Sequence, residues 1–271
     1  SLAVKATNPA TGSPVQFVKT PDVGVPNNGD ISVNLTSFIG NRPNVGYMDG
    51  STYLTGNPYP SSLDMVNFLT TNNSSAIYLW THNTVISSSI AGSEIYNYTA
   101  DDYATFNLTG ASLGASSPIV DGNNNNLSIP SRYIGSGQAF FVKAPILGAK
   151  TFTFDNSMRG YLTAADNTQF YKQNQKDEQN RIWLVLTNNF NITRHSMVGY
   201  VSGASDNFDH QYDADIADGR VAAIYSVLDD KDLAIQGRGL PFNPNDKVVL
   251  GYKLPIGGNY QIGLNAVDGL F

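Results

Sequence analysis

The chain contains no cysteine. Disulfide frameworks, thiolate metal sites and a cysteine nucleophile are excluded, so packing and hydrogen bonding must hold the fold. Glutamate is nearly absent too: of 22 acidic residues only Glu94 and Glu178 are Glu, leaving 20 Asp. Glu serves helices, whereas Asp closes turns with its own side chain, so the imbalance argues against a helical fold. Charged residues make up 14% of the chain and the net charge is −6, with no basic stripe to neutralise phosphates. Nucleic acid is excluded as a partner on that ground. No apolar run reaches the roughly 18 residues of a membrane-spanning helix.

What is present points the other way. The 271 residues include 25 Gly and 13 Pro, and aromatics make up 11%. That is the profile of an all-β protein with many turns, long enough for one large or two medium cores. Ser1 begins in mid-pattern without Met. The expectation is a mature product or an excised fragment.

The stretch Thr55-Gly-Asn-Pro-Tyr-Pro-Ser-Ser-Leu-Asp64 organises the first half. Pro58 and Pro60 hold Asn57 and Tyr59 extended. Ser61 or Ser62 is then expected to cap one short helix near residues 61–69, with Asp64 against its N-terminal dipole. Strands are expected at 2–6, 15–19, 31–35, 76–81, 94–98 and 103–108, with Asn28-Gly29 as a type I′ hairpin turn. Gln138–Ala144 and Lys150–Phe154 read as a strand pair around Pro145–Ala149, with Phe152 and Phe154 on one face. Residues 155–180 are polar and form the boundary candidate. Beyond them, strands near 181–187, 194–201, 221–227, 233–237, 247–252 and 260–264 have the spacing of a β-sandwich. The expected organisation is two antiparallel β modules. Residues 1–165 carry the helix, and residues 178–271 form a Greek-key or jelly-roll sandwich.

Few residues point to chemistry. Gly110-Ala-Ser-Leu-Gly114 matches the nucleophile-elbow pattern, but Ala115-Ser-Ser-Pro118 cannot supply the helix that motif needs. His82, His195 and His210 show no metal spacing. Asp206, Asp209, Asp213, Asp215 and Asp218 lie close together with almost no local cations. Calcium takes six to eight oxygens from such carboxylates, which makes this loop a candidate calcium site, the alternative being Asp side chains that cap their own turns. Tyr47, Tyr59, Trp80 and Tyr98 are candidates for a carbohydrate-binding face, where rings stack on sugars, against the alternative that they pack in the core. Trp183 reads as core. Arg159 and Arg238 stand in uncharged surroundings, and Arg238, between Gly237 and Gly239, is the first choice for a buried bidentate ion pair.

Several stretches together carry a resemblance: Gly56-Asn-Pro-Tyr-Pro-Ser61 with Ile77-Tyr-Leu-Trp80, Gly137–Ala144 with Ser157-Met-Arg159, Arg181-Ile-Trp-Leu184, and Leu233–Arg238 with Leu240-Pro-Phe242 and Leu250-Gly-Tyr252. Over nearly its whole length the chain resembles the C-terminal β-rich region of flavobacterial (Bacteroidetes) cell-surface, adhesin-like proteins exported by the type IX secretion system, without their terminal sorting domain. The resemblance implies an extracellular or cell-surface address, and it brings no catalytic residues. The expected function is a non-enzymatic structural or adhesive module. Its expected partners are neighbouring domains of a larger protein, surface glycans or further copies of itself. The alternative is a carbohydrate-binding module with a structural calcium ion.

Overall fold

The computed structural model describes residues 25–36, 52–81, 100–115, 129–143, 149–160, 180–188, 192–216, 222–254 and 257–269. The strands of the first half are β1 (Ile31–Thr36), β2 (Thr52–Gly56), β3 (Leu63–Asp64), β4 (Ala76–Trp80), β5 (Tyr103–Phe106), β6 (Ala111–Ser112), β7 (Tyr133–Ile134), β8 (Ala139–Lys143) and β9 (Ala149–Phe154). Those of the second half are β10 (Asn180–Asn188), β11 (Thr193–Tyr200), β12 (Ala214–Asp215), β13 (Ala223–Leu228), β14 (Lys231–Arg238), β15 (Val249–Lys253) and β16 (Tyr260–Asp268). One α-helix, α1 (Met65–Asn72), interrupts them among the described residues. The protein is all-β, with antiparallel pairing throughout except between β11 and β14, which run parallel.

The helix starts later than the serines suggest. Leu63-Asp64 pairs with Tyr133-Ile134 as β3 and β7, so the backbone stays extended through Asp64. Asp64 is itself the N-cap: its Oδ1 accepts the N–H groups of Val66 and Asn67 at 2.9 and 3.3 Å. The Arg132 guanidinium holds the same carboxylate with two bonds, at 2.8 and 2.6 Å. Upstream, the Asn57 amide donates to the carbonyls of Ser61, Ile134 and Gly135, fixing the proline-stiffened corner. Asn28-Gly29 makes no type I′ turn, since only Gly29 has positive φ (81°). That segment instead docks on the corner, where the Tyr59 hydroxyl donates to the Gly29 carbonyl at 2.7 Å.

The central element is a five-stranded sheet in the order β2-β8-β4-β5-β6. Its strands alternate between two cores. Ile77, Leu79, Phe140, Val142 and Phe106 face a cluster with Phe68 and Leu69 of α1 and Phe152 and Phe154 of β9. Ala76, Tyr78, Phe141 and Tyr103 face the other way, against Trp183, Met197, Ala214 and Ile235 of the second half. Burial on both faces explains why Ala76–Trp80 is a continuous apolar run instead of an alternating one. β8 and β9 do not pair as the expected hairpin. β8 lies between β2 and β4, while β9 pairs antiparallel with β1 across the helix-side core, Phe152 opposite Val33 and Phe154 opposite Ile31.

The second half forms a seven-stranded sheet, ordered β15-β13-β14-β11-β10-β16 with β12 on β14. One of its faces packs on the five-stranded sheet, a sandwich-like layering that joins the two halves of the chain. Polar bonds tie the layers together. The Trp183 indole donates to the Ala111 carbonyl at 2.9 Å, and Lys143 reaches Asp215 at 2.5 Å. Arg194 of β11 donates twice to Asp101, with both residues buried. The boundary region 161–179 lies outside the described residues, as do the expected strands at 2–6, 15–19 and 94–98. The outer strands β15 and β16 expose Val249, Tyr252, Ile262 and Leu264.

Two outcomes follow. Asp64→Ala removes a cap and a bidentate partner together and should lower the urea-unfolding free energy by about 2–3 kcal/mol, while Ser62→Ala changes it by less than about 1. Equal effects would return the cap to the serine. Arg194→Ala takes from the buried Asp101 carboxylate the guanidinium that donates to it twice, and should destabilise by about 3–5 kcal/mol within one cooperative transition that both halves share. Two separated transitions would show that the interface does not couple them.

Candidate functional site

Two loops at one end of the seven-stranded sheet face each other across an open groove. One follows β11 (residues 201–213), and the other follows β14 (residues 239–247). The first carries most of the acidic cluster. It leaves the sheet through Gly203, where φ is +95° and a Cβ would come within 2.3 Å of the Tyr212 hydroxyl, so only glycine fits. Asp209 accepts the Ser205 N–H. Asp213 accepts the Asp209 N–H at 2.6 Å with one oxygen and the Gly237 N–H of β14 at 2.9 Å with the other. These carboxylates are the internal caps of their loop. Asp215 lies in β12 and pairs with Lys143. Asp206 is the exception, its side chain 72% exposed. Asp218 lies outside the described residues, and among those described no group of three or more His, Asp or Glu side chains is placed to hold a metal ion.

Burial raises the pKa of Asp213 to about 6, against the opposing pull of its two backbone N–H donors. The native state therefore favours the protonated acid. Stability from this group is present at low pH and is lost as pH rises through about 6.

The second loop is held by Arg238, as its sequence setting suggests. The guanidinium makes a bidentate pair with Asp246, Nε to Oδ2 at 3.0 Å and Nη2 to Oδ1 at 2.6 Å. It also reaches across the groove, Nη1 donating to the Asp206 carbonyl at 3.3 Å and Nη2 lying 3.4 Å from the Asp206 carboxylate. The Tyr200 hydroxyl completes the cluster by donating to Asp246 at 2.9 Å. Burial and this bond push the Tyr200 pKa up to about 12. Burial acts against the charge on Asp246, but Arg238 and Tyr200 outweigh it and hold the carboxyl below its ordinary range.

Above this floor lies a groove of about 680 Å³, lined by Ala204, Ser205 and Asp206 on one side and the run Gly239–Pro244 on the other. Leu240 and Phe242 are about half exposed on its rim. The Phe242 ring stands edge-on to Tyr200 with centroids 4.8 Å apart. Sequence reasoning reached Arg238 and the acidic loop but not Asp246, Tyr200 or the apolar rim. Leu240-Pro-Phe242 drew notice only as part of a resemblance, because its exposure depends on the return loop through Asp246.

Among the described residues, the aromatic candidates Tyr59 and Trp80 do not form a platform. Tyr59 is 1% exposed and serves the corner. Trp80 is 40% exposed but stands edge-on to Tyr103 at 5.0 Å. Tyr47, Tyr98 and His82 lie outside the described residues. His195 is buried within β11, and the His210 Nε2 lies 3.3 Å from the Asn73 carbonyl. Ser112 of the Gly110–Gly114 motif is buried in β6, with no helix after it through Ala115.

Arg238→Ala should destabilise by about 3 kcal/mol, because it leaves Asp246 without its partner, and a change under about half a kcal/mol would place the pair in solvent. Asp213→Asn removes a titrating group. The wild-type stability relative to this variant should therefore grow by about 1 kcal/mol as pH falls from about 7.5 to about 5, measured by urea midpoints. A flat difference would mean that Asp213 keeps an ordinary pKa.

No curated protein and no solved structure matches the chain. Residues 2–271 match the family described as a domain of unknown function (DUF8693), and the chain belongs to that family.

Proposed function

We propose that the protein is a non-enzymatic structural or adhesive module of a secreted or cell-surface protein, and that it works by contact through the groove between its loops. The observation that carries this reading is how the ionisable groups there are used. Arg238, Asp246 and Tyr200 bond to one another, and Asp209 and Asp213 bond to backbone N–H groups. These side chains are engaged in holding two walls apart, which suits a rigid contact surface more than proton transfer. The groove is open, and its rim is apolar at Leu240 and Phe242, the composition of a site that meets a ligand by shape. The resemblance to exported surface proteins supports an extracellular address. The apolar outer strands β15 and β16 fit a module with neighbours in a larger protein.

Arrays of polysaccharides and extracellular matrix proteins test the reading. The wild-type protein should bind at least one class, and Phe242→Ser should weaken that binding by about tenfold or more with an unchanged melting curve, as loss of a rim anchor does. Equal binding by both proteins, or turnover of the bound polymer, would overturn it.

A further inference from the structure

The chemistry of the groove narrows what it can take. Its solvent-facing charge is negative: the Asp206 carboxylate is exposed, whereas Arg238, the cation beside it, is 10% exposed and bidentate to Asp246. Some backbone donors of the walls are absent or already used. Pro241 and Pro244 have no N–H, and the Ser205 N–H is engaged by Asp209. The side-chain amide of Asn243 is a donor in the lining, its Oδ1 already accepting the Asn245 N–H. A carboxylate or phosphate would meet Asp206 with like charge, and a neutral sugar would leave that exposed charge without a counter-charge. A lysine or arginine offers donors alone. Its positive head complements Asp206, and its methylene stem suits the apolar wall of Leu240, Pro241 and Phe242.

We propose that the groove binds a lysine or arginine side chain presented by an extended segment of a partner protein, its charged head on Asp206 and its stem along Leu240 and Phe242. This rests on the reading of the groove as a contact site and names the ligand class. Two features favour it. One wall is fixed by the Arg238–Asp246 pair and the other is tied to Arg238 through the Asp206 carbonyl, so little ordering is lost on binding. The net charge of −6 also draws a basic segment in from a distance.

The test uses acetyl-(Pro-Lys)3-amide and acetyl-(Pro-Glu)3-amide as probes, titrated into the whole protein by calorimetry at low salt. The lysine peptide should bind saturably and about tenfold or more tighter than the glutamate peptide. Asp206→Asn should weaken it by about fivefold or more, whereas Asp230→Asn, which removes an exposed carboxylate in the β13–β14 turn, should leave it unchanged. Equal binding of both peptides, no binding of either, or equal losses in the two variants would overturn the proposal. If Phe242→Ser abolishes polymer binding on the arrays while the lysine peptide fails to bind, the groove remains a contact site and only the cationic ligand is refuted. If Phe242→Ser changes neither, both readings fall.

Discussion

The five-stranded sheet is covered on both faces, and the rest of the molecule follows from that constraint. Residues of β4 and β8 point alternately to the helix-side core and to the second half of the chain, as Ile77 and Tyr78 do in succession. A sheet buried twice needs a layer on each side. Helix α1 with the β1–β9 pair supplies one, and the seven-stranded sheet supplies the other. Each aromatic buried in these layers contributes on the order of 2–3 kcal/mol, so the two interfaces outweigh any single polar contact. The absence of cysteine is then no handicap, because long-range packing does the work that cross-links do in small secreted domains.

Charge is treated differently in the interior and at the loops, and desolvation is the reason. A guanidinium taken out of water must find a carboxylate with matching geometry, and each buried arginine has one: Arg194 has Asp101, and Arg238 has Asp246. Such pairs add little net stability over an apolar substitute, but each is costly to break from one side. They therefore fix position more than they add strength. Arg194–Asp101 sets the halves in register, and Arg238–Asp246 holds the second loop, with Arg238 also reaching Asp206 of the first. Asp213 accepts two N–H groups, and burial outweighs them and raises its pKa.

That distinction separates the candidate site from its surroundings. Around the groove, Asp209 and Asp213 of the cluster that looks like a cation cage in sequence turn inward to backbone N–H groups and Asp215 turns outward to lysine, while Asp206 faces solvent beside a half-exposed apolar rim. The loop is acidic because Asp closes turns well, and its binding character comes from the one carboxylate that its own turns do not use.

Much of the strand content was legible in sequence. Short apolar runs between Asn, Gly and Pro mark strands whatever surrounds them, and β1, β4, β5, β8, β9 and most of β10–β16 fall close to where composition puts them. Trp183 in the core and Arg238 in a bidentate pair were legible for the same reason, since each has a single low-energy way of being buried. Pairing was not. β8 and β9 are adjacent in sequence and join different sheets, because β2 and β4 already occupy both hydrogen-bonding edges of β8. The cap of α1 is Asp64, and neither Ser61 nor Ser62, because pairing of β3 with the distant β7 keeps the chain extended for two more residues. Local residue chemistry determined which segments are strands and which close turns. Tertiary structure alone decided which strands meet, which carboxylates are buried and therefore where an exposed carboxylate and an apolar rim face water together, because those depend on contacts between residues far apart in the chain.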